Sequence, residues 1–196
     1  MGTGLNGTFD KTPDVSQWAM LCVFKANAEL TPTAGNLIYG PLIHKWIALF
    51  SKESYTLFLS PKAGHGKWDG KNPFGPLPAK NEFEGKMATL TRATIRINKL
   101  SFFWKNVAPV ASKMATAKGF IFSVGIGEIP WIKQATFSVW ESAEDMKAFA
   151  YGMKEHAAVI QKTRKEDWYS EDMFVRFMIS GTYGTINGLD PIRLNA

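Results

Sequence analysis

The sequence predicts an α+β protein that is built from two related strand–helix–strand units. Three observations lead to this prediction. Several short runs alternate apolar and more polar residues, which is typical of half-buried strands. Longer runs place apolar residues three, four and seven positions apart, as they lie on one face of a helix. Residues 19–70 also repeat the pattern of residues 135–188, so the two stretches are expected to fold alike.

Composition excludes several classes of protein. The chain has 196 residues, of which 45% are hydrophobic, and this favours a globular protein over a disordered one. No apolar run reaches the roughly 18 residues of a membrane-spanning helix. The single cysteine, Cys22, allows no internal disulfide and no iron–sulfur cluster held by this chain alone, and it favours a cytoplasmic location.

Basic residues outnumber acidic ones and leave a net charge of +6. No nucleic-acid-binding motif accompanies them, so no nucleic-acid partner is predicted. An ordinary solvated surface is one interpretation of the lysine-rich stretches. The other is a surface that meets an acidic electron carrier or an anionic membrane surface.

The first unit predicts one helix between two strands. Gln17–Lys25 is apolar on both faces, so a covered strand is expected there. A helix should begin after Thr31-Pro32-Thr33 and bend or restart at Pro41. Ser54–Leu59 predicts a second strand, and Pro61–Gly85, which is rich in glycine and proline, predicts a long ordered loop.

The second unit contains an additional strand and helix at its start. Its predicted elements are, in order, a strand at Met87–Arg96, a helix at Lys99–Ala117, a hairpin of Phe120–Ile126 with Ile132–Trp140, a helix after Ser142, and a strand at Met173–Ile179. The order β-α-β-β-α-β is that of the ferredoxin-like split unit. The fold class is therefore predicted as α+β, with two ferredoxin-like repeats and antiparallel sheets.

The internal repeat sets the predicted domain boundaries. Tyr39-Gly40 and His44 align with Tyr151-Gly152 and His156 at identical internal spacing, and residues 66–70 align with residues 184–188. The first repeat lacks the initial strand and helix of the second and is incomplete at its N-terminus. Residues 1–85 are assigned to this incomplete unit and its long loop, residues 86–188 to the complete unit, and residues 189–196 to a tail.

The sequence pattern singles out His156 as a candidate functional residue. It shares one predicted helix face with Phe149, Met153 and Ile160. A histidine in such a stripe is most often a core residue bound to a carbonyl group, and the pattern leaves that alternative in place. A neutral imidazole in a dry pocket is also a common axial ligand of haem iron.

Two arginines lie in otherwise apolar predicted strands. An unpaired charge would be costly at Arg92 and Arg176, so each should have a partner. A haem propionate or a structural carboxylate would serve equally well, because the guanidinium fork donates two parallel hydrogen bonds to either. Arg96 and Arg164 are further candidates for the same role.

The remaining histidines are expected to be structural or exposed. His44 lies beside Ile43 and Trp46, which favours a structural role, and His65 lies between two glycines in the predicted loop. Three histidines this far apart match no known zinc or non-haem iron spacing.

Four stretches carry a resemblance to a known family. They read YTLFLSPKAGHGKWDGKNPF at 55–74, TRATIR at 91–96, GIGEIPWIKQATFSVW at 125–140 and DWYSEDMFVRF at 167–177. Together they resemble the spheroidene monooxygenase family, the carotenoid-ketolating oxygenases of phototrophic bacteria. The resemblance covers nearly the whole chain and implies a ferredoxin-like fold of the dimeric α/β-barrel type.

The resemblance also implies a function and a site. The function would be a haem b-dependent monooxygenase that uses O₂ and an external electron donor, such as reduced ferredoxin, to convert an acyclic carotenoid such as spheroidene into a keto-carotenoid. His156 would be the proximal iron ligand. The expected haem contacts are Phe149, Met153, Ile160, Phe177, Arg92 and Arg176. The distal residue stays unassigned, and no catalytic residue is named.

Two alternatives and one question about the start of the chain accompany this interpretation. The alternatives are an aldoxime-dehydratase-like lyase on the same haem fold, and a non-catalytic haem or small-molecule binding protein. Family members are expected to carry a further strand and helix at the N-terminal end. Either the first domain is reduced, or the start methionine is placed too late at Met1. The second explanation is expected, because a sheet without that strand exposes an edge and an apolar face.

Overall fold

The computed structural model describes residues 1–4, 9, 11–24, 35–152, 161–163 and 165–192. The chain forms two compact units. Unit 1 comprises Met1–Ala19 and Pro61–Met178, and unit 2 comprises Met20–Ser60 and Ile179–Ala196. The division at residue 85, which follows the sequence repeat, stays a prediction.

Unit 1 contains the β-α-β-β-α-β order that the sequence predicts. Its elements are β4 (Met87–Ile95), α2 (Leu100–Met114), β5 (Phe120–Ile129), β6 (Lys133–Trp140), α3 (Ala143–Gly152) and β7 (Tyr169–Gly184). The strands are neighbours in the order β5-β6-β4-β7 and every pair is antiparallel. This is the ferredoxin-like topology, so the predicted α+β fold class is confirmed.

Three further strands extend the sheet at its two edges. β1 (Gly2–Thr3) pairs with β5 and β2 (Pro13–Asp14) pairs with β1, while β3 (Tyr55–Gly66) lies beside β7. β3 continues seven residues past the predicted end at Leu59, so the predicted loop begins only at Lys67. Gly64 and Gly66 permit this extension, because a Cβ at either position would collide with the backbone of β7.

The core of unit 1 lies between the sheet and its helices. Phe149 of α3 packs with Trp140 of β6 at a ring distance of 5.3 Å. The predicted cap of α3 is confirmed, since the Asp145 N–H donates to Ser142 Oγ at 3.1 Å. A second cluster joins α2 to the sheet; its buried members are Ile95, Phe103, Trp104 and Trp168.

Unit 2 contains α1 (Gly35–Phe50) and the adjoining ends of β3 and β7. The bend predicted at Pro41 is present, because Gly40 leaves helical geometry with φ 75° and ψ 161°. Tyr55 Oη donates to Asp190 Oδ1 at 2.6 Å, and Ile192 is fully buried. Asp190 and Ile192, which belong to the predicted tail at residues 189–196, are therefore both held in place. Burial first, and then the Asp190 carboxylate, raise the pKa of Tyr55 above its ordinary value.

The strand predicted at Gln17–Lys25 is wrong for its described part. Residues 17–24 have no regular secondary structure, and five large apolar side chains there are 40–68% exposed: Trp18, Met20, Leu21, Val23 and Phe24. A strand persists only where a neighbouring strand receives its backbone hydrogen bonds. The Gln17 carbonyl accepts the Gly2 N–H of β1 at 2.8 Å, but residues 18–24 belong to no strand. In the same described part of the chain, no helix has the length and hydropathy that a membrane crossing requires.

Candidate functional site

Strand pairing decides which predicted site residues share a face of the sheet. Across β4 and β7, Thr89 is opposite Arg176, and Arg92 is opposite Met173. Residues directly opposite each other project to the same side of a sheet, whereas neighbours along a strand project to opposite sides. Arg176 and Arg92 therefore lie on different faces.

The face that carries Arg176 is covered by helices, and we call it the helix face. Its residues include Met87, Thr89, Ser138, Trp140 and Arg176. Phe149 packs against it, and a short polar chain crosses it, in which Trp140 Nε1 donates to Ser138 Oγ at 2.9 Å and Ser138 shares a hydrogen bond with Thr89 at 2.7 Å. These bonds satisfy polar groups that would be costly in an apolar core.

Arg176 is the buried cation of the helix face. Its Nη2 donates to the Ala79 carbonyl at 3.4 Å, which is a long and therefore weak hydrogen bond. Among the described residues no carboxylate lies within ion-pair distance of it. A buried guanidinium in this setting favours an anion as its partner.

The opposite face, which we call the far face, carries Arg92. Its side chain is 0% exposed and donates to three carboxylates, at 2.8 Å to Glu128, 2.9 Å to Asp69 and 2.9 Å to Glu171. The Trp68 ring lies 4.9 Å from the guanidinium carbon. Burial alone lowers the pKa of Arg92, but the bonds to Glu128 and Asp69 outweigh burial and raise it. The sequence predicted either a haem propionate or a structural carboxylate as the partner of Arg92, and the structure shows structural carboxylates.

The structure therefore separates the predicted site residues. Phe149 and Arg176 belong to the helix face, whereas Phe177 lies on the far face with Arg92, under the edge of the Phe74 ring at 5.3 Å. His156, Met153 and Ile160 lie outside the described residues, as does Arg164, so iron ligation by His156 stays a prediction. Arg96 pairs at the surface with Asp167 at 2.9 Å.

The other two histidines lie at exposed positions. His44 is exposed on α1, and His65 is exposed at the end of β3, where its ring stacks on Phe174 at 5.9 Å. Across the described ranges, no group of three or more His, Cys, Asp or Glu side chains is placed to hold a metal ion.

Sequence reasoning aligned residues 66–70 with residues 184–188 but missed that the two turns make the same contacts. Glu171 accepts the backbone N–H groups of Asp69 and Gly70, both at 2.7 Å. At the other end of the same strand pair, Glu53 accepts the N–H groups of Asn187 and Gly188, both at 2.8 Å. The signal was present in the sequence, since each turn reads Gly-x-x-(Asp or Asn)-Gly, and the capping glutamate lies two residues before the start of β3 in one case and at the third position of β7 in the other.

Comparison with known proteins identifies sequence relatives. The chain is 34% identical over 192 residues to a spheroidene monooxygenase of Rhodobacter capsulatus, covering 97% of this chain and 78% of the relative. Identity is 33% over 192 residues to that of Cereibacter sphaeroides and 31% over 188 residues to that of Rubrivivax gelatinosus. Coverage of this chain is 97% and 96%, and the chain spans 58% and 70% of those relatives. No protein-family model matches the chain.

Comparison with solved structures finds weaker similarity. A protein of Fusobacterium nucleatum superposes with a TM-score of 0.49 at 11% identity, covering 81% of this chain and 68% of that one. SnoaB, a cofactor-independent oxygenase from Streptomyces nogalater, superposes with a TM-score of 0.42 at 13% identity, covering 50% and 95%. TM-scores below 0.5 do not establish a shared fold, so the fold assignment rests on the strand order of the sheet itself.

Proposed function

This chain belongs to the spheroidene monooxygenase family, and from that premise we propose that it is a haem-dependent monooxygenase that converts an acyclic carotenoid into a keto-carotenoid. The observation that carries the proposal is the alignment, at 31–34% identity, of 96–97% of this chain with three spheroidene monooxygenases. The substrate class is a linear polyene such as spheroidene.

The helix face supplies groups that suit haem. Arg176 is buried there and lacks a carboxylate partner among the described residues, which fits a propionate. Phe149 and Trp140 provide apolar, aromatic surface beside it. Arg92 is saturated by three carboxylates on the far face, so the proposal assigns propionate binding to Arg176 and not to Arg92.

Three groups of residues would have separate roles in the proposed reaction. When bound, haem supplies the chemistry of O₂ activation, with electrons from an external donor such as reduced ferredoxin. His156 would hold the iron through its neutral imidazole, and Arg176 would orient the group through a propionate. Apolar side chains of the helix face, including Met146 and Phe149, exclude water. The proposed partners are the carotenoid, the electron donor and, at the periphery, the membrane that holds the carotenoid.

Two measurements test the proposal. Purified protein, supplied with haem, should show a Soret band that shifts when dithionite and CO are added. Expression in a host that makes acyclic carotenoids should add keto-carotenoids to the pigment extract, whereas a host with the empty vector should make none. A haem-binding protein without keto products would favour a lyase or a non-catalytic haem protein. A protein that binds no haem under any loading condition would overturn the proposal.

A further inference from the structure

Asn187 and Gly188 form an exposed two-residue turn in unit 2. Ile186 and Leu189 exchange two backbone hydrogen bonds across it, at 2.8 and 3.2 Å. Both central residues have positive φ, 54° and 75°, which is the geometry of a type I′ turn. The Asn187 side chain makes no hydrogen bond to any residue that the structure describes. Its amide group is therefore accessible to water.

An asparagine that precedes a glycine is open to a reaction within the chain. The Gly188 backbone nitrogen loses its proton and forms a bond to Asn187 Cγ, the Cγ–Nδ2 bond breaks, and ammonia leaves carrying that proton. The product is a five-membered succinimide, and addition of one water molecule to either of its carbonyl groups gives aspartate or isoaspartate. Glycine favours this ring closure because it has no Cβ to obstruct the attack. The reaction needs no oxidant, reductant or enzyme.

Glu53 opposes the first step of this reaction in the folded protein. Its carboxylate accepts the Gly188 N–H and the Asn187 N–H, both at 2.8 Å. The attacking nitrogen must lose its proton, and a negative charge beside it makes that loss harder. The Gly188 N–H and then the Thr185 hydroxyl hold the pKa of Glu53 below its ordinary 4.5, so the carboxylate is charged at neutral pH. The two backbone bonds also restrain the turn against the rotation that ring closure requires.

The corresponding turn of unit 1 shows why the amide matters. Asp69 and Gly70 have φ 48° and 74°, and Glu171 accepts both of their N–H groups at 2.7 Å. The side chain at the first position is a carboxylate, which is a far poorer target for a nitrogen nucleophile than an amide. It is also held at 2.9 Å by Arg92 and at 2.7 Å by Lys133. Of these two turns, the one in unit 2 combines a glycine with an accessible amide.

We propose that Asn187 is a site of spontaneous deamidation and that Glu53 keeps it unreactive while unit 2 is folded. Conversion to isoaspartate adds a methylene group to the backbone between Asn187 and Gly188. The lengthened turn no longer matches the spacing at which both N–H groups meet Glu53. Each unfolding of unit 2 therefore exposes Asn187 to a covalent change that refolding does not reverse.

Peptide mapping of the full chain tests the proposal. Trypsin releases Asn187 in the peptide of residues 177–193, which contains no other Asn or Gln, and it releases a second Asn-Gly pair, Asn6-Gly7, in the peptide of residues 1–11. Mass spectrometry and labelling by isoaspartyl methyltransferase quantify the products after incubation at mildly alkaline pH. In the folded parent, Asn187 should react about tenfold or more slowly than in guanidinium chloride. In guanidinium chloride, Asn6 provides the rate of an unfolded Asn-Gly pair.

Variants of the capping glutamate separate its role from that of the turn. Glu53→Ala should raise the rate at Asn187 about tenfold or more, and Glu53→Gln should raise it less, because the glutamine oxygen accepts a hydrogen bond without a charge. The matched control is Glu171→Ala, which removes the cap of the other turn and should leave the rate at Asn187 unchanged. Circular dichroism melts establish that each variant is folded during incubation.

Two results would overturn the proposal. One is an equal rate at Asn187 in the folded parent and in guanidinium chloride, a comparison that depends on no variant. The other is an equal rate in the parent and in a folded Glu53 variant, which would assign the protection to the turn geometry alone.

Discussion

Arg92 and Glu128 form a two-point ion pair across the far face of the sheet, with Nε to Oε1 at 2.8 Å and Nη2 to Oε2 at 3.0 Å. β6 lies between the strands that carry them. Asp69 and Glu171 bind the remaining donors of the same guanidinium, and Lys133 adds a bond to Asp69 at 2.7 Å. The network thus connects the turn after β3 to four strands of the sheet, β4, β5, β6 and β7.

Replacing Arg92 should destabilise the protein strongly. Arg92→Met removes the one cation that serves three carboxylates, and the loss should be about 3 kcal/mol in the free energy of unfolding. The matched control is Arg96→Met, which removes a surface pair with Asp167 and should cost less than about 1 kcal/mol. Urea unfolding followed by tryptophan fluorescence measures both. Equal losses in the two variants would show that the network contributes little.

Acid should release the turn that follows β3. The Gly70 N–H holds the pKa of Glu171 below its ordinary 4.5, and the Lys133 ammonium holds the pKa of Asp69 below its ordinary 3.8. A depressed pKa means that each carboxylate stabilises the fold above its unfolded pKa, and that this contribution is lost as pH falls through the folded pKa.

We therefore expect the thermal midpoint to be steady above about pH 5 and to drop as pH falls further. Circular dichroism melts between about pH 2 and pH 7 measure this dependence. Glu171→Gln should have a lower midpoint at neutral pH and a shallower acid dependence. A variant that keeps the full acid slope would assign the slope to other groups.

Two glycines should resist substitution for the same steric reason. A Cβ at Gly66 would collide with the Asp172 carbonyl and one at Gly184 with the Ser54 carbonyl, and both residues have φ +90°. Gly66→Ala and Gly184→Ala should each destabilise by more than the roughly 1–2 kcal/mol that positive φ alone costs. Gly70→Ala is the control, because its φ is +74° with no atom within 4 Å of the added Cβ. Three equal losses in urea unfolding would exclude the steric explanation.

Haem binding should depend on His156 and not on its repeat equivalent. His156→Ala removes the proposed axial donor, so the Soret band should be lost and should return when imidazole is added to fill the cavity. His44→Ala should retain full haem content, because His44 is exposed on α1. Haem loss in the His44 variant, with an unchanged spectrum in the His156 variant, would place the site in the other repeat.

The helix-face arginine should influence haem retention without being an iron ligand. Arg176→Met removes the proposed propionate partner and should weaken haem binding about tenfold or more, whereas Arg176→Lys should recover part of the loss. The Soret position should stay unchanged, because the axial ligand is the same. Transfer of haem to apomyoglobin measures retention. Identical transfer rates in the Met variant and the parent would contradict the assignment.

Local patterns predicted β6 and α3 correctly because the causes of these elements are local. The alternation in Ile132–Trp140 and the Ser142 cap depend on neighbouring residues, and β6 and α3 appear where those signals stand. Another local signal, the run of residues at 17–25 that is apolar on both faces, failed over residues 17–24. An apolar run shows that a segment can form a strand, but a neighbouring strand from elsewhere in the chain must receive its hydrogen bonds.

The sequence by itself determined the order of elements from Met87 onward, the repeat and the need of Arg92 and Arg176 for partners. Only the tertiary structure decided that the two arginines face opposite sides and that Arg92 is already satisfied. The side on which a residue lies follows from the register between β4 and β7, which local sequence does not encode. The three carboxylates come from three separate parts of the chain, so only the folded sheet brings them together around one guanidinium.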